Sequence, residues 1–285
     1  PPEYLAADAE LVEGDVRDGD VVARCLDGVD CVVHLAAAVG VGQSMYEIER
    51  YTSVNALGAA VLLERVLEVR DRIGKLVVAS SMSIYGEGLY RCPAEDREVA
   101  PPPRPESQLA ARQWEVRCPS CGAELEPLPT PETKPLQPTS VYAVGKRDHE
   151  ELTLTIGRAY GIPSTALRFF NVYGTRQALS NPYTGVLAIF AARLLNDSAP
   201  KIFEDGWQQR DFVSVYDIAR ACRLALETPA AADEVFNIGS GTPYTVREIA
   251  ERIAAVVGKE HLAPEITRKY RVGDIRHCYA DITKA

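Results

Sequence analysis

The sequence predicts a doubly wound α/β chain, a parallel sheet covered by helices on both faces and followed by a smaller C-terminal lobe. Three observations carry that expectation. Short apolar runs of strand length alternate with longer segments of helical period, the pattern of repeated βαβ units. The runs are apolar throughout rather than alternating, as strands buried on both faces are. The chemistry-bearing residues Asp15, His34, Ser81 and Asn171 fall where those runs end, and ligands of open α/β sheets bind at the carboxyl ends of strands.

Taken in order, residues 11–16 read as a short strand reaching Asp15 and Val16, and residues 18–26 as a helix. Residues 29–35 are a buried strand, and Ala36, Ala37 and Ala38 open a loop after it. Residues 47–70 predict one long helix with Val54, Leu57, Val61, Leu62 and Val66 on one face. Gly74 breaks the pattern, and residues 75–80 form the next buried strand. Residues 87–138 carry eleven prolines and predict an irregular insertion. Residues 142–160 are helical and 164–169 a strand. Beyond Asn171, residues 174–182 read as loop, 186–195 as helix, and 201–215 as extended segments joined by a turn at Gly206. Residues 217–226 and 246–257 are helices. Residues 1–172 are expected to form the sheet domain, with 87–138 inserted in it, and 173–285 mainly a ligand lobe.

The 285 residues are 46% apolar and 25% charged, an ordinary globular composition. A net charge of −9 argues against a general nucleic-acid surface. No apolar run approaches the roughly 20 residues of a membrane span. Seven cysteines, an odd number scattered along the chain, fit reduced thiols and a cytoplasmic setting better than a disulfide framework.

The most informative pattern is Tyr142-x-x-x-Lys146 with Ser81 upstream. Residues four apart share a helix face. An ammonium beside a phenol favours the phenolate and lowers a pKa normally near 10, so Tyr142 is a candidate general base. Ser81 is placed to hydrogen-bond the oxygen whose proton moves.

These residues sit among further segments: Gly14-Asp15-Val16, Val32-Val33-His34-Leu35-Ala36-Ala37, Val54-Asn55, Ser80-Ser81-Met82-Ser83-Ile84-Tyr85-Gly86, Leu167-Arg168-Phe169-Phe170-Asn171-Val172-Tyr173-Gly174, Arg210-Asp211-Phe212-Val213 and Arg271-Val272-Gly273-Asp274. In this order the chain resembles the extended short-chain dehydrogenase/reductase family, in its NAD-dependent nucleotide-sugar epimerase branch. The resemblance implies a Rossmann-like fold, NAD as cofactor, a nucleotide sugar as substrate, and a homodimer formed through the helices of residues 47–70 and 142–160. It assigns cofactor contacts to Asp15, Val16, Leu35, Ala36, Ala37, Asn55, Ser80, Tyr142, Lys146, Phe169 and Phe170. It assigns catalysis to Ser81, Tyr142 and Lys146. Substrate contacts fall to Ser81, Ser83, Asn171, Asn181, Val186, Arg210, Arg271 and Asp274, the two arginines gripping the diphosphate. The family begins with a strand and a Gly-x-x-Gly-x-x-Gly turn. The sequence carries no such turn, and a first βα unit is expected to be absent. Read without the family, Asp15 is equally a turn residue, His34 a satisfied core histidine, Asn171 a strand-end cap, and Arg210 and Asp211 a surface ion pair.

The resemblance also narrows the reaction. Dehydratases of the family carry an acidic pair beside the Ser81 position, where this chain has Met82 and Ser83. That leaves oxidation of a sugar C4 hydroxyl, rotation of the keto sugar, and hydride return to its other face. The substrate segments and the cysteine-bearing insertion look most like those of bacterial dTDP-L-rhamnose 4-epimerases, which interconvert dTDP-L-rhamnose and dTDP-6-deoxy-L-talose. UDP-glucose/UDP-galactose 4-epimerase, an NAD(P)-dependent 4-ketoreductase or dehydrogenase, and an NAD-binding sensor are the other readings. Within the insertion, Cys118-Pro-Ser-Cys121-Gly resembles a zinc knuckle, with Cys92 as a third ligand. No histidine lies between Cys92 and Cys121. Structural zinc lacking an evident fourth ligand and three reduced thiols are both open. Cys25, Cys31, Cys222 and Cys278 read as small buried hydrophobes, and His149 and His277 as residues of solvated faces.

Overall fold

A computed structural model describes residues 3–177 and 185–285. The chain runs through α1 (Gly19–Cys25), β1 (Cys31–His34), α2 (Val41–Ser44), α3 (Ile48–Thr52), α4 (Gly58–Glu68), β2 (Lys75–Ser81), β3 (Leu89–Cys92), β4 (Arg97–Val99), α5 (Glu106–Ala110), β5 (Glu126–Leu128), α6 (Val141–Tyr160), β6 (Ser164–Phe169) and β7 (Asn171–Tyr173). It continues through α7 (Val186–Leu195), β8 (Lys201–Ile202), β9 (Gln209–Ser214), α8 (Val215–Glu227), β10 (Glu234–Ile238), β11 (Pro243–Thr245), α9 (Val246–Val256), β12 (Glu265–Ile266) and β13 (His277–Cys278).

The central sheet has the order β1-β2-β6-β10 and every pairing in it is parallel. Successive residues of β2 point to opposite faces. Leu76 packs with Leu62, Leu63 and Val66 of α4 and Val22 of α1. Val78 meets Leu154 of α6 on that side, while Val77 packs with Leu167 and, from α8, Ala225 on the other. Both faces are covered, which is why the strand is apolar throughout. This is the Rossmann-like sheet the sequence predicts. Beyond residue 172 the chain returns to it through α8 and β10. It also builds a second sheet, β11-β9-β13 with β7 on β9, beside a core of Phe190, Ile202, Phe212, Ile249 and Ala250.

Several expectations are corrected. Residues 11–15 hold no regular structure, Val16 enters a turn, none joins a ladder among the described residues, and Leu11 and Val12 are exposed. An extended run becomes a strand only beside a partner backbone. The helix of residues 47–70 is interrupted by a π-helical turn, Ser53–Leu57, that turns Asn55 inward. The proline-rich insertion holds regular structure, the antiparallel sheet β4-β3-β5 and α5, over a core of Tyr90, Cys92, Val99, Val116, Cys118 and Leu125. Its prolines fall where no ladder donor is needed: Pro93 in the β3–β4 turn, Pro127 on edge strand β5. Cys25 and Cys31 are exposed, Cys25 in the last turn of α1 and Cys31 at the start of β1, an edge strand among the described residues. His149 and His277 are buried, His149 under the central sheet's helices and His277 in a charge network.

That network joins the insertion to the C-terminal segment. Arg276 is fully buried; its Nη1 donates to Glu204 Oε2 at 3.0 Å and Asp205 Oδ1 at 2.7 Å, and its Nη2 to Glu115. Arg104 grips Glu204 with both terminal nitrogens at 2.9 and 2.8 Å. Glu87 accepts from the Arg276 backbone N–H at 2.8 Å, and His277 Nε2 lies 2.9 Å from Glu115. Removing one partner of such a group strands buried charge. Arg276→Met should destabilise the chain by about 3–5 kcal/mol, read as a lowered urea midpoint at unchanged slope.

Candidate active site

The carboxyl ends of β2 and β6 and the first turns of α6 and α7 surround a cleft of about 540 Å³. Ser81, Ser83, Tyr142, Lys146, Phe169, Phe170, Asn171 and Val186 line it, with Ser80, Leu35 and Val41. Local hydrogen bonding places the catalytic candidates. Ser81 ends β2, and its Oγ accepts from the Ser83 N–H at 3.2 Å and the Ser83 hydroxyl at 2.9 Å, capping the turn Met82–Tyr85. Ser140 caps α6 by accepting from the Ala143 N–H at 3.1 Å. The Tyr142 N–H, a second free donor of that turn, bonds Ser44 Oγ at 3.0 Å. Sequence reasoning missed Ser44, which fixes the start of α6 from a distant segment.

Tyr142 and Lys146 share a face of α6 as expected, but their electrostatics differ from the expectation. The Lys146 ammonium donates to the Ala79 carbonyl at 2.9 Å. Burial raises the Tyr142 pKa, while its hydrogen bond with Ser81 acts the other way. The resting side chain is therefore a phenol. Burial lowers Lys146 to about 8. His149, seven positions beyond Tyr142 on the same face, was missed although that spacing marks it. Its ring stacks at 4.9 Å on His34, and its Nε2 sits 2.8 Å from the Asn55 carbonyl. Burial, then the Lys146 charge, holds His34 down at about 4 and His149 at about 3. Both rings are neutral, so the ammonium is the positive charge of this column.

Asn55 clamps the loop after β1. Its Oδ1 accepts from the Ala38 N–H at 2.8 Å and its Nδ2 donates to the Ala38 carbonyl at 3.1 Å. Gly145 permits this approach, since a Cβ there would stand 3.0 Å from Asn55 Cβ. Leu35, Ala36 and Ala37 precede the clamp, and of them Leu35 lines this cleft. Asp15 and Val16 line a second cleft of about 490 Å³ with His34 and Ala36, on the other side of β1. The Asp15 carboxylate accepts from Arg17 Nε and N–H, both at 2.9 Å, and is held down at about 2 by that contact.

Arg210, Arg271 and Asp274 gather apart from the described lining of the cleft. The Arg210 guanidinium donates to the carbonyls of Gln209, Arg276 and Ile275. Arg271 lies over the Phe203 ring at 4.7 Å. Burial raises Asp274, and the two arginines oppose that rise. Asn171 Nδ2 donates to the Asp211 carbonyl at 2.9 Å. Asn181 lies outside the described residues. Cys92, Cys118 and Cys121 meet at the tip of the insertion.

The model of the NAD dependent epimerase/dehydratase family matches residues 1–114 and 121–239. The chain belongs to that family. It is 34% identical over 286 residues to the dTDP-L-rhamnose 4-epimerase of Burkholderia thailandensis, covering 100% of this chain and 77% of that one. It is 33% identical to a putative UDP-glucose 4-epimerase of Methanocaldococcus jannaschii, covering 97% and 77%. Among solved structures, the UDP-glucose 4-epimerase of Thermotoga maritima with UDP-glucose superposes with a TM-score of 0.78 at 30% identity, over 99% and 79% of the chains. That of Thermus thermophilus in complex with NAD gives 0.71 at 30%, over 95% and 76%. With 4-epimerases as its relatives at 34% and 33% identity, the chain is an enzyme, an isomerase acting on carbohydrates. The residues present fit the family's cofactor. Ser80 and His34 line one cleft each, and among the described residues Ser80 Oγ and His34 Nε2 are buried polar atoms without a hydrogen-bond partner. Such atoms cost about 1–3 kcal/mol each until a ligand satisfies them.

Two measurements test this arrangement. Folded Lys146 titrates at about 8 against an ordinary 10.5. Below both values the burial penalty is fully present; as pH rises through the window the unfolded chain holds more protons and stability increases. Urea unfolding of the wild type minus that of Lys146→Met should show that increase across the window. Asn55→Ala should release the loop, seen as at least roughly tenfold faster hydrogen exchange at the Ala38 amide, with the central strands still protected.

Proposed function

We propose that the chain is an NAD-dependent nucleotide-sugar 4-epimerase acting on dTDP-L-rhamnose and dTDP-6-deoxy-L-talose. The observation that carries this reading is Ser81, Tyr142 and Lys146 around one cleft, with Met82 and Ser83 where elimination would need acids. The Burkholderia relative bears the same activity in its name. NAD, when bound, supplies the hydride acceptor and donor at the sugar carbon. Asp15, Val16, Leu35, Ala36, Ala37, Asn55, Ser80, Phe169 and Phe170 are the residues that would hold it.

Tyr142 moves the proton at the C4 oxygen, accepting it in the oxidative half and returning it in the reductive half, so the cycle consumes none. Because burial raises the phenol, the phenolate needs help. Lys146 carries the nearby positive charge, and Ser81 steadies the same oxygen through both halves. Asn171, Ser83 and Val186 border the sugar, and Asn181 belongs to the same reading. Arg210, Arg271 and Asp274 complete the diphosphate side. Residues 1–172 serve as the cofactor domain and 173–285 mainly as the substrate lobe. The exposed apolar side chains Leu57, Val144 and Leu152, on the helices expected to pair, support a homodimer. Seven free cysteines support a cytoplasmic setting. No helix among the described residues is long and apolar enough to cross a membrane. The Thermotoga structure, solved with UDP-glucose, favours UDP-glucose/UDP-galactose as the second substrate reading.

Incubation with dTDP-L-rhamnose without added reductant, followed by proton spectroscopy of the sugar, should show 6-deoxy-talose signals rising to equilibrium. Conversion of UDP-galactose alone would move the assignment to the second substrate. A requirement for soluble reductant would replace epimerisation with reduction. Tyr142→Phe should lose roughly 10²–10⁴-fold in turnover while keeping its circular dichroism and unfolding midpoint.

A further inference from the structure

The tip of the insertion brings together four groups that the reaction above does not use. The Sγ atoms of Cys92, Cys118 and Cys121 and a carboxylate oxygen of Glu95 all lie within 4.8 Å of one another, and Cys92 Sγ is 3.5 Å from Cys121 Sγ. Around a tetrahedral zinc with bonds of ~2.3 Å, neighbouring sulfurs stand about 3.8 Å apart. The observed separations need only small side-chain adjustment to meet that.

The sequence explains why four groups meet. Cys92-Pro93-Ala94-Glu95 and Cys118-Pro119-Ser120-Cys121 have the same spacing and the same proline after the first ligand. Each occupies a hairpin turn. The first closes the β3–β4 hairpin just past the Cys92–Arg97 pair. The second is closed by Gly122 N–H to Cys118 O at 2.9 Å and Cys118 N–H to Ala123 O at 2.8 Å, with Arg117 bridging Glu124 beyond it. Two tight turns thus face each other, each offering two ligands, with Glu95 in the place of a fourth cysteine. Cys92 and Cys118 are buried, and Cys121 and Glu95 face solvent. The surroundings suit an anionic metal site. Arg97 Nε donates to Glu95 at 2.6 Å, its Nη2 lies 3.9 Å from Cys118 Sγ, and Ser120 Oγ donates to Glu95 at 2.7 Å. Three thiolates and a carboxylate around a dication carry a net −2, which the guanidinium offsets in part.

We propose that Cys92, Glu95, Cys118 and Cys121 form a structural zinc site that locks the two turns of the insertion. The core beneath them is small, four buried side chains besides the ligands Cys92 and Cys118, and cores of that size are commonly stapled by a metal or disulfide. The ion has no open position for substrate and no part in the proton transfer at Tyr142.

Metal analysis of the full chain, purified with reductant and without chelator, should find about one zinc per chain. Less than about a tenth of an equivalent after zinc loading and gel filtration overturns the proposal, as does a Cys92–Cys121 disulfide in that preparation. Cobalt(II) in place of zinc should give thiolate-to-cobalt charge transfer and intense tetrahedral d–d bands; weak octahedral bands overturn it. Cysteine variants can fail to fold, so the deciding pair is at exposed Glu95. Glu95→Ala should release metal to a competing chelator at least roughly tenfold more readily, and Glu95→Cys should hold it more tightly. Equal retention in both shows that the carboxylate is no ligand.

Discussion

The register between β2 and β6 is the constraint on which the site depends. The two strands pair in parallel from Leu76↔Ser164 to Ser81↔Phe169. That alignment puts the Ser81 hydroxyl beside the Phe169–Asn171 corner, and a slip of one residue would send every side chain to the opposite face. A parallel pair needs a crossover, and here the crossover contains the whole insertion and then α6, which lies against both strands. The pairing is reinforced across layers. Arg168 of β6 donates from Nε to Glu150 of α6 at 2.9 Å and from Nη1 to the Tyr85 hydroxyl at 2.7 Å, and that hydroxyl donates to Asn237 of β10 at 2.7 Å. Strand, helix and crossover are therefore tied to one another by buried side chains. Loop-closure entropy grows only slowly with length, so a long insertion is tolerated in the crossover provided its two ends remain where β2 and α6 require them.

Within that frame the cleft is poised by desolvation rather than by accumulated charge. Burial acts on each group against its charged form, raising Tyr142 and lowering Lys146, His34 and His149. The histidines yield first, because their ordinary pKa is lowest and each lies within reach of the ammonium. They fill the space under Lys146 with neutral rings. The ammonium survives because a carbonyl of β2 accepts from it. A ligand hydroxyl or oxyanion entering the cleft meets one buried cation, three serine hydroxyls and a phenol, with little bulk water to screen them.

How much of this was legible follows from the kind of signal each residue gives. Ser81, Tyr142 and Lys146 were readable because strand ends and the i, i+4 helix spacing are local rules. The apolar strands β1, β2 and β6 were readable for the same reason. Tertiary facts were not. Nothing in residues 53–57 announces a π-helical turn, and Asn55 faces the Ala38 loop only because that turn adds a residue. Ser44 caps a helix nearly a hundred positions away in the chain. β10 was missed because its five residues include Asn237, a polar side chain that packing satisfies through Tyr85 and the Thr130 carbonyl. The prolines misled because their count says nothing of where ladder donors are needed. Nothing in the sequence shows that three backbone carbonyls take three of the five N–H donors of Arg210, leaving two for an anion. Glu95 was invisible as a ligand because an acid in a hairpin turn reads as a solvated charge until its thiol neighbours are placed around it.

The insertion is best understood as two regions with different anchors. Its base is laminated onto the C-terminal segment: Gly88 N–H bonds the His277 carbonyl at 2.9 Å, Thr130 N–H the Tyr279 carbonyl at 2.8 Å, and Asp281 N–H the Thr130 carbonyl at 3.0 Å. The buried Arg276 and Arg104 network lies at this seam. Its tip, by contrast, rests on the six-residue core and the two facing turns. The two are joined at Tyr90, a side chain of that core whose hydroxyl donates to Glu87 at 2.9 Å and accepts from the His277 N–H at 3.2 Å. The base in turn touches the cleft, because Lys134 near its end donates to the Tyr85 carbonyl at 2.8 Å, and Tyr85 closes the turn that Ser81 caps. The chain thus has an electrostatic seam that bears on Ser81, and the distal core meets that seam at Tyr90. Disturbance of the seam, direct or through Tyr90, is the route by which the insertion can alter the geometry around Ser81.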